Sequence, residues 1–214
     1  SVDAARQRDV AARERDDAAR SGDLARVEAK RSSVISKFLT NVFLSTSVYQ
    51  TDPGAAQQKR AIDLLHAGAE RILVDLKDEP AARNRLLWDL AQLYQGLGDY
   101  ERAEPLAKAW FDAATAVDTA EQRLERFEAG VLLGSIRYGA GKTDAQLEVL
   151  DAIAPLLADV ARSKPEAPPG YYVILGAGLV NRSLSEAIVA LEKGVNGMRT
   201  FASKSAEDET NFVH

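Results

Sequence analysis

The chain has 214 residues, of which 46% are hydrophobic and 28% are charged, a composition typical of globular proteins that bury a core. Its net charge is −5 and it contains no basic block, so we predict no nucleic-acid partner. It has no cysteine, and its two histidines, His66 and His214, lie far apart, which excludes disulfides and argues against a transition-metal site or other cofactor.

Residues 1–31 are rich in alanine, arginine, aspartate and glutamate and predict a charged helix. The triplet Ala-Ala-Arg occurs three times in them, seven residues apart, which places one narrow alanine stripe along a helix. Gln7 and Glu14 occupy the positions that would complete a coiled-coil seam. We therefore predict a solvated linker helix, with a weak coiled coil as the alternative.

The next two segments predict a first helical hairpin. Residues 34–49 form a strongly apolar helical pattern, and the Asp-Pro-Gly sequence at 52–54 ends it in a loop. Residues 56–78 repeat an apolar face at helical spacing. Pro80 ends this helix, because the residue before a proline disfavours the helical conformation.

Residues 86–111 predict two amphipathic helices joined by a short turn. In the first helix, apolar residues recur at spacings of three and four and therefore share one face. They are Leu86, Leu87, Leu90, Leu93, Tyr94 and Leu97. In the turn, Gly98 permits a left-handed cap and Asp99 can cap the second helix. The small Ala103 lets the two helices approach closely.

Within this pair, Leu90-Ala91, Tyr94 and Ala103 stand where a tetratricopeptide repeat has Leu-Gly, Tyr and Ala. Leu87 supplies the large apolar residue that such a repeat carries three positions before its Leu-Gly pair. The segment therefore resembles the tetratricopeptide-repeat family. The resemblance implies stacked helical hairpins that form a solenoid, with an inner groove lined mainly by the first helix of each hairpin.

Parts of this pattern recur along the chain. Leu133-Gly134 and Gly141 follow Leu90-Ala91 and Gly98 by 43 residues, and Leu175-Gly176 begins a third copy at about the same distance. The second copy departs from the pattern at Arg137 and Gln146. Because the usual period is about 34 residues, we expect longer helices or connections than in a standard repeat.

The rest of the chain predicts two further hairpins. Residues 119–138 and 142–160 form one of them, and the proline-rich sequence at 164–170 then breaks the chain. Residues 171–180 and 184–201 form the last. The apolar run at 171–180 is far shorter than the roughly 20 residues of a membrane span, so we predict no span in this chain.

The order of segments within residues 34–111 carries a second resemblance. A Phe-Leu helix, an Asp-Pro loop and the hairpin around Leu90 are similar to the helical-repeat region that follows the kinase domain and membrane helix in many bacterial serine/threonine protein kinases. This resemblance implies a region of a larger, membrane-anchored signalling protein. The chain begins at Ser1, so we expect a fragment or processed chain, tethered through residues 1–31 to a missing span. A periplasmic location is favoured, and the cytoplasm is the alternative.

Two short motifs resemble nucleotide-binding loops without meeting their requirements. Residues 139–143, Gly-Ala-Gly-Lys-Thr, lack the first glycine of a phosphate-binding loop, where Ile136 stands, and follow a predicted helix instead of a strand. Residues 176–178 lack the third glycine of a dinucleotide fingerprint. No Gly-rich kinase loop or His-Arg-Asp catalytic loop occurs. We therefore predict no catalytic residues.

The candidate binding surface comprises polar and aromatic positions on the first helices of two successive hairpins. These positions are Arg85, Trp88, Gln92 and Gln95 in one hairpin and Ser135 and Tyr138 in the next. Trp88 is the candidate anchor, and packing against a neighbouring hairpin is its alternative role. Arg85 is the single cation of the set, which argues against recognition of a peptide carboxylate.

These observations predict an all-α, tetratricopeptide-like α-solenoid of about four hairpins. We divide the chain into a linker helix at residues 1–31, a repeat domain at 32–202 and a polar tail at 203–214. The predicted function is a non-catalytic scaffold or sensor that binds a protein or peptide. A homo-oligomerisation module is the alternative, and an enzyme using Asp63, Asp89 and Glu128 is a more distant one.

Overall fold

The structure is a computed structural model that describes residues 2–46, 56–114 and 119–211. Throughout these ranges the regular elements are helices, with no strand, which confirms the predicted all-α class. None of the helices described is both long and apolar enough to cross a membrane, in agreement with the sequence. The chain divides into two compact units, Ser1–Leu86 and Leu87–His214.

The first unit contains α1 (Val2–Thr46), α2 (Ala56–Asp75) and the start of α3 (Pro80–Gly96). Helix α1 continues past residue 31 because no glycine or proline interrupts the sequence between the charged and the apolar segments. It contacts α2, and the predicted loop at 52–54 lies outside the described residues. Among the side chains of this unit that the structure describes, the buried apolar ones are Phe38, Ile72, Leu76, Ala82 and Leu86.

The second unit continues from α3 through six further helices and one turn of 3-10 helix. They are α4 (Tyr100–Ala113), α5 (Ala120–Gly139), α6 (Thr143–Ile153), the 3-10 turn (Ala154–Leu156), α7 (Leu157–Ser163), α8 (Pro168–Leu179) and α9 (Leu184–Asn211). The single helix predicted at 142–160 is wrong, because Pro155 has no backbone N–H to continue the α-helical pattern. Of the predicted loop at 164–170, residues 164–167 are a turn, while Pro168 and Pro169 open α8, where the first N–H groups need no intrahelical partner. Helix α9 also continues past Ser203, where the polar tail was predicted.

Two glycine turns with the same hydrogen bonds connect α3 to α4 and α5 to α6. Gly98 and Gly141 have φ angles of 74° and 73°, in the left-handed region that favours glycine. After each glycine, the next backbone N–H donates to a carbonyl five residues earlier, from Asp99 to Tyr94 over 2.9 Å and from Lys142 to Arg137 over 2.8 Å. The predicted left-handed cap at Gly98 is therefore confirmed.

The predicted cap at Asp99 is also confirmed, because its side chain accepts a hydrogen bond from the backbone N–H of Arg102 at 3.2 Å. At the start of α5, Thr119 and Gln122 form a reciprocal capping box. These local bonds satisfy backbone groups at the ends of the helices. They fix where each helix begins without help from distant parts of the chain.

Helix α5 lies at the centre of the second unit and contacts α4, α6, α7 and α8. Its Phe127 belongs to a cluster of fully buried apolar residues that also contains Leu150, Ile153, Val160 and Tyr171. Helix α6 also contacts α8, and α8 packs along α9. The core of this unit is therefore built around α5, between helices that follow each other in the chain and helices that are two or three elements apart.

The buried face of α3 differs from the predicted one. Leu87, Ala91 and Tyr94 are buried, but Leu93 and Leu97, which were predicted to lie on the same face, are 41% and 61% exposed. The apolar residues of α3 spread over a wider arc of the helix surface than its neighbours cover. The sequence pattern therefore identified an amphipathic helix but overestimated the width of its buried side.

Candidate interaction surface

The first helices of two successive hairpins meet through a hydrogen bond between predicted site residues. The side-chain amide of Gln95 on α3 donates to the hydroxyl oxygen of Ser135 on α5 over 2.7 Å. Gln92 and Tyr138 lie three residues from these two on their respective helices, and both are exposed. Because residues three apart are neighbours on a helix surface, the four side chains border one continuous polar and aromatic surface.

The other two predicted site residues are placed differently. Trp88 is partly buried, so its ring is neither a core side chain nor a fully exposed anchor. Arg85 is exposed and belongs to the first unit, which ends at Leu86. Within the second unit, the candidate surface therefore comprises Gln92, Gln95, Ser135 and Tyr138, of which Gln95 and Ser135 are hydrogen-bonded to each other.

A charged cluster joins α4 to the turn between α5 and α6. Glu104 accepts hydrogen bonds from Arg137 at 3.0 Å and from Lys142 at 2.7 Å. Arg137 also donates to the carbonyl oxygen of Ala145 on α6 over 2.9 Å. Partial burial raises the pKa of Glu104, but its two cationic partners outweigh burial and hold the pKa below its ordinary value. One arginine thus connects three helices.

Gln146 makes the corresponding polar link between α6 and α8. Its side-chain amide is fully buried and donates to the carbonyl oxygen of Ile174 over 2.6 Å. The amide also lies against Gly178, where an added Cβ would approach its oxygen to 2.6 Å. Arg137 and Gln146, the two departures from the repeat pattern, therefore both bind a neighbouring helix. No signal in the sequence indicated these roles, because their partners are distant in the chain.

Lys142 and Glu128, which the sequence offered as candidates for chemistry, make structural contacts in the fold. Lys142, from the Gly-Ala-Gly-Lys-Thr motif, binds Glu104, and Gly139 of the same motif ends a helix. Glu128 accepts a hydrogen bond from Lys164 over 2.7 Å, while the side chain of Asp63 lies outside the described residues. In the part of the chain that the structure describes, no group of three or more His, Asp or Glu side chains is arranged to hold a metal ion.

A cleft that sequence reasoning did not identify lies between α8 and α9. It has a volume of about 410 Å³ and is lined mainly by apolar side chains. They include Tyr172, Leu175, Leu179, Val189 and Ala190. At its edge, the ammonium group of Lys193 lies 4.1 Å from the centre of the Tyr172 ring. The apolar residues at helical spacing in α8 and α9 were the available signal.

Comparisons with protein-family models, with curated proteins and with solved structures found no match to this chain. The likenesses to tetratricopeptide repeats and to kinase-associated repeat regions therefore stay interpretations of the motifs in the sequence.

Proposed function

We propose that the chain is a non-catalytic protein-binding scaffold, built as a tetratricopeptide-like solenoid. The observation that carries this proposal is the Gln95–Ser135 hydrogen bond, which joins the first helices of two successive hairpins next to the exposed Gln92 and Tyr138. A surface formed by the first helices is where a solenoid of this kind binds its ligand.

The solenoid arrangement is supported by three helix pairs, α3–α4, α5–α6 and α8–α9. The first two pairs have the same glycine turn, 43 residues apart. The position near the start of each second helix is fully buried in all three pairs, at Ala103, Gln146 and Ala187. Close approach at the same point in successive hairpins is what stacking of similar units requires.

The chemistry of the surface favours an extended peptide segment as ligand. Gln92, Gln95 and Ser135 supply uncharged donors and acceptors that match the backbone groups of a peptide, and Tyr138 offers an aromatic ring with a polar tip. Aromatic residues of this kind are enriched among interface anchors. The absence of charge in these four residues favours a ligand recognised through its backbone and apolar side chains.

The proposal is tested by selecting peptides from a random display library against the purified chain and measuring their affinity by calorimetry. We expect Tyr138→Ala and Gln92→Ala to weaken binding by about tenfold each, the effect of losing an interface residue worth more than 1 kcal/mol. The matched control is Glu148→Ala, a truncation of an exposed residue on α6. Selected peptides whose affinity is equal for all four proteins would show that this surface is not the binding site.

The resemblance to kinase-associated repeat regions supports a role within a larger bacterial signalling protein. In that setting the scaffold lies outside the cytoplasmic membrane and binds the partner or signal that the protein senses. Protease treatment of intact spheroplasts of the source organism tests this location, because an external domain is digested. Survival of the domain in intact spheroplasts, with digestion only after lysis, would favour the cytoplasm instead.

A further inference from the structure

The cleft between α8 and α9 has a charged side chain near each of its two ends. The helices run in opposite directions from a short turn, with Leu179 as the last residue of α8 and Glu186 in the first turn of α9. At the other end, Lys193 lies over the ring of Tyr172. Glu186 and Lys193 both line the cleft and are seven residues apart. Seven residues are two helical turns, so the two charges lie on one side of α9, about 10 Å apart along its axis.

Between these two ends the cleft is apolar. Leu175 lies on its α8 wall and Ala190 on its α9 wall, and Val189, which is 65% exposed, borders its opening. The volume of about 410 Å³ lies within the range of roughly 300–1,000 Å³ that is usual for ligand pockets. An apolar lining with a few polar groups is also the usual composition of such a pocket. The cleft therefore has the size and lining of a site for a small ligand.

The walls of the cleft are fixed before any ligand binds. An added Cβ at Gly176 of α8 would approach the backbone oxygen of Ala187 on α9 to 3.0 Å. The helices are thus already in backbone contact beside the cleft and cannot close it by moving together. The ring of Tyr172 packs edge-on against Tyr171 at 5.3 Å, and Tyr171 is buried in the core. A preformed site of this kind loses little conformational entropy on binding.

The charges at the two ends are available to a ligand. Neither Glu186 nor Lys193 makes a salt bridge with any residue that the structure describes. The ammonium group of Lys193 lies 4.1 Å from the centre of the Tyr172 ring, and this contact leaves N–H groups that can donate to an anion. The cleft therefore presents a cation at one end and an anion at the other, with apolar walls between them.

A ligand that complements this cleft has an anionic and a cationic end about 10 Å apart, joined by an apolar body. A tripeptide of apolar residues meets this requirement, because three extended residues span about 10 Å. Its free ends are a carboxylate and an ammonium group at neutral pH. A fatty acid would complement Lys193, but its apolar tail would lie beside the carboxylate of Glu186.

We infer that the cleft between α8 and α9 binds a short apolar peptide of about three residues. The free carboxylate of the peptide binds Lys193, its free ammonium group binds Glu186, and its side chains contact the apolar walls. This inference does not depend on the peptide-binding surface of α3 and α5.

The first test is a titration of the full chain with the tripeptide Leu-Ala-Leu at millimolar concentrations, followed by NMR of the backbone amides. We expect the tripeptide to shift the amide signals of Leu175 and Val189. We expect N-acetylation or C-amidation to weaken binding about threefold to tenfold each, because each removes one charged contact. No binding of the tripeptide, or equal binding of the blocked peptides, overturns the inference. Binding of decanoate without binding of the tripeptide overturns it in favour of a fatty acid.

The second test assigns each end of the peptide to its side chain. In Lys193→Ala, amidation of the peptide is expected to have no further effect, and in Glu186→Gln the same is expected of acetylation. Lys77→Ala and Glu148→Gln, at exposed residues outside the cleft, are the matched controls. Variants of Lys193 and Glu186 that still distinguish free from blocked ends overturn the assignment. Tyr138→Ala is expected to leave tripeptide binding unchanged, which separates this site from the surface of α3 and α5.

Discussion

At the scale of single residues, the clearest result is that polar side chains connect one helix to the next. Arg137 reaches Glu104 on one side and the Ala145 carbonyl on the other, and Gln146 binds the Ile174 carbonyl inside the core. Truncating a side chain of this kind leaves a buried partner unsatisfied, which costs more than the hydrogen bond itself contributes. These residues therefore specify which helices are neighbours.

The Glu104 cluster predicts a pH-dependent contribution to stability. The pKa of Glu104 is lower in the folded chain than its ordinary value of 4.5. Its stabilising effect is therefore present above that value and is lost as the pH falls through the folded pKa. We expect Glu104→Gln to lower the free energy of unfolding by about 1 kcal/mol at neutral pH. The difference from wild type should shrink in acid.

This prediction is measured by urea unfolding of both proteins at neutral pH and again well below the ordinary pKa of the carboxyl group. Glu148→Gln, at an exposed carboxylate on α6, serves as the control, and its free energy of unfolding should match that of the wild type at both pH values. A Glu104→Gln penalty that is as large in acid as at neutral pH would show that the two ion pairs are not its cause.

At the scale of the elements, helix ends are determined by short stretches of sequence. Gly98 and Gly141 adopt positive φ angles and close equivalent turns, and Asp99 and Thr119 cap the helices that follow. The same reasoning fails for the helix predicted at 142–160, which Pro155 divides. Pro105 also removes a backbone donor inside α4, but α4 continues through it, whereas at Pro155 the chain passes into the 3-10 turn.

We expect Gly98→Ala and Gly141→Ala each to lower the free energy of unfolding by about 1–2 kcal/mol, the cost of placing a Cβ in the left-handed region. Asn should be tolerated better at both positions, because it visits this region more readily. Gly22→Ala, in open space on α1, is the control. The three alanine variants and the two asparagine variants are compared by thermal unfolding. Equal losses at Gly22 and Gly98 would contradict the turn explanation.

At the scale of the whole molecule, burial is uneven along the second unit. Helix α5 has neighbours on several sides and supplies Phe127 to the buried cluster, whereas α9 packs on α8 and exposes apolar side chains such as Ile188 and Val195. Local opening is easiest where few apolar contacts hold an element in place. The centre of this unit is therefore its most stable part.

Hydrogen exchange should reveal this difference. We expect the amides of α5 around Phe127 to exchange more slowly than those of α9 around Val195, because opening α5 disrupts the buried cluster. Equal exchange rates in α5 and α9 would contradict a core centred on α5.

The sequence by itself determined what depends on neighbours in the chain: the all-α class, the glycine turn at Gly98, the cap at Asp99 and most helix limits. It also grouped Gln95 with Ser135 in one candidate surface, and the structure joins them by a hydrogen bond. Only the tertiary structure decided that Leu93 and Leu97 are exposed and that Arg137 and Gln146 bind neighbouring helices. The exposure of Ile188 and Val195 on α9 likewise became visible only in three dimensions. The physical reason is that periodicity identifies a face that favours burial, while the packing of distant segments determines which part of that face is covered.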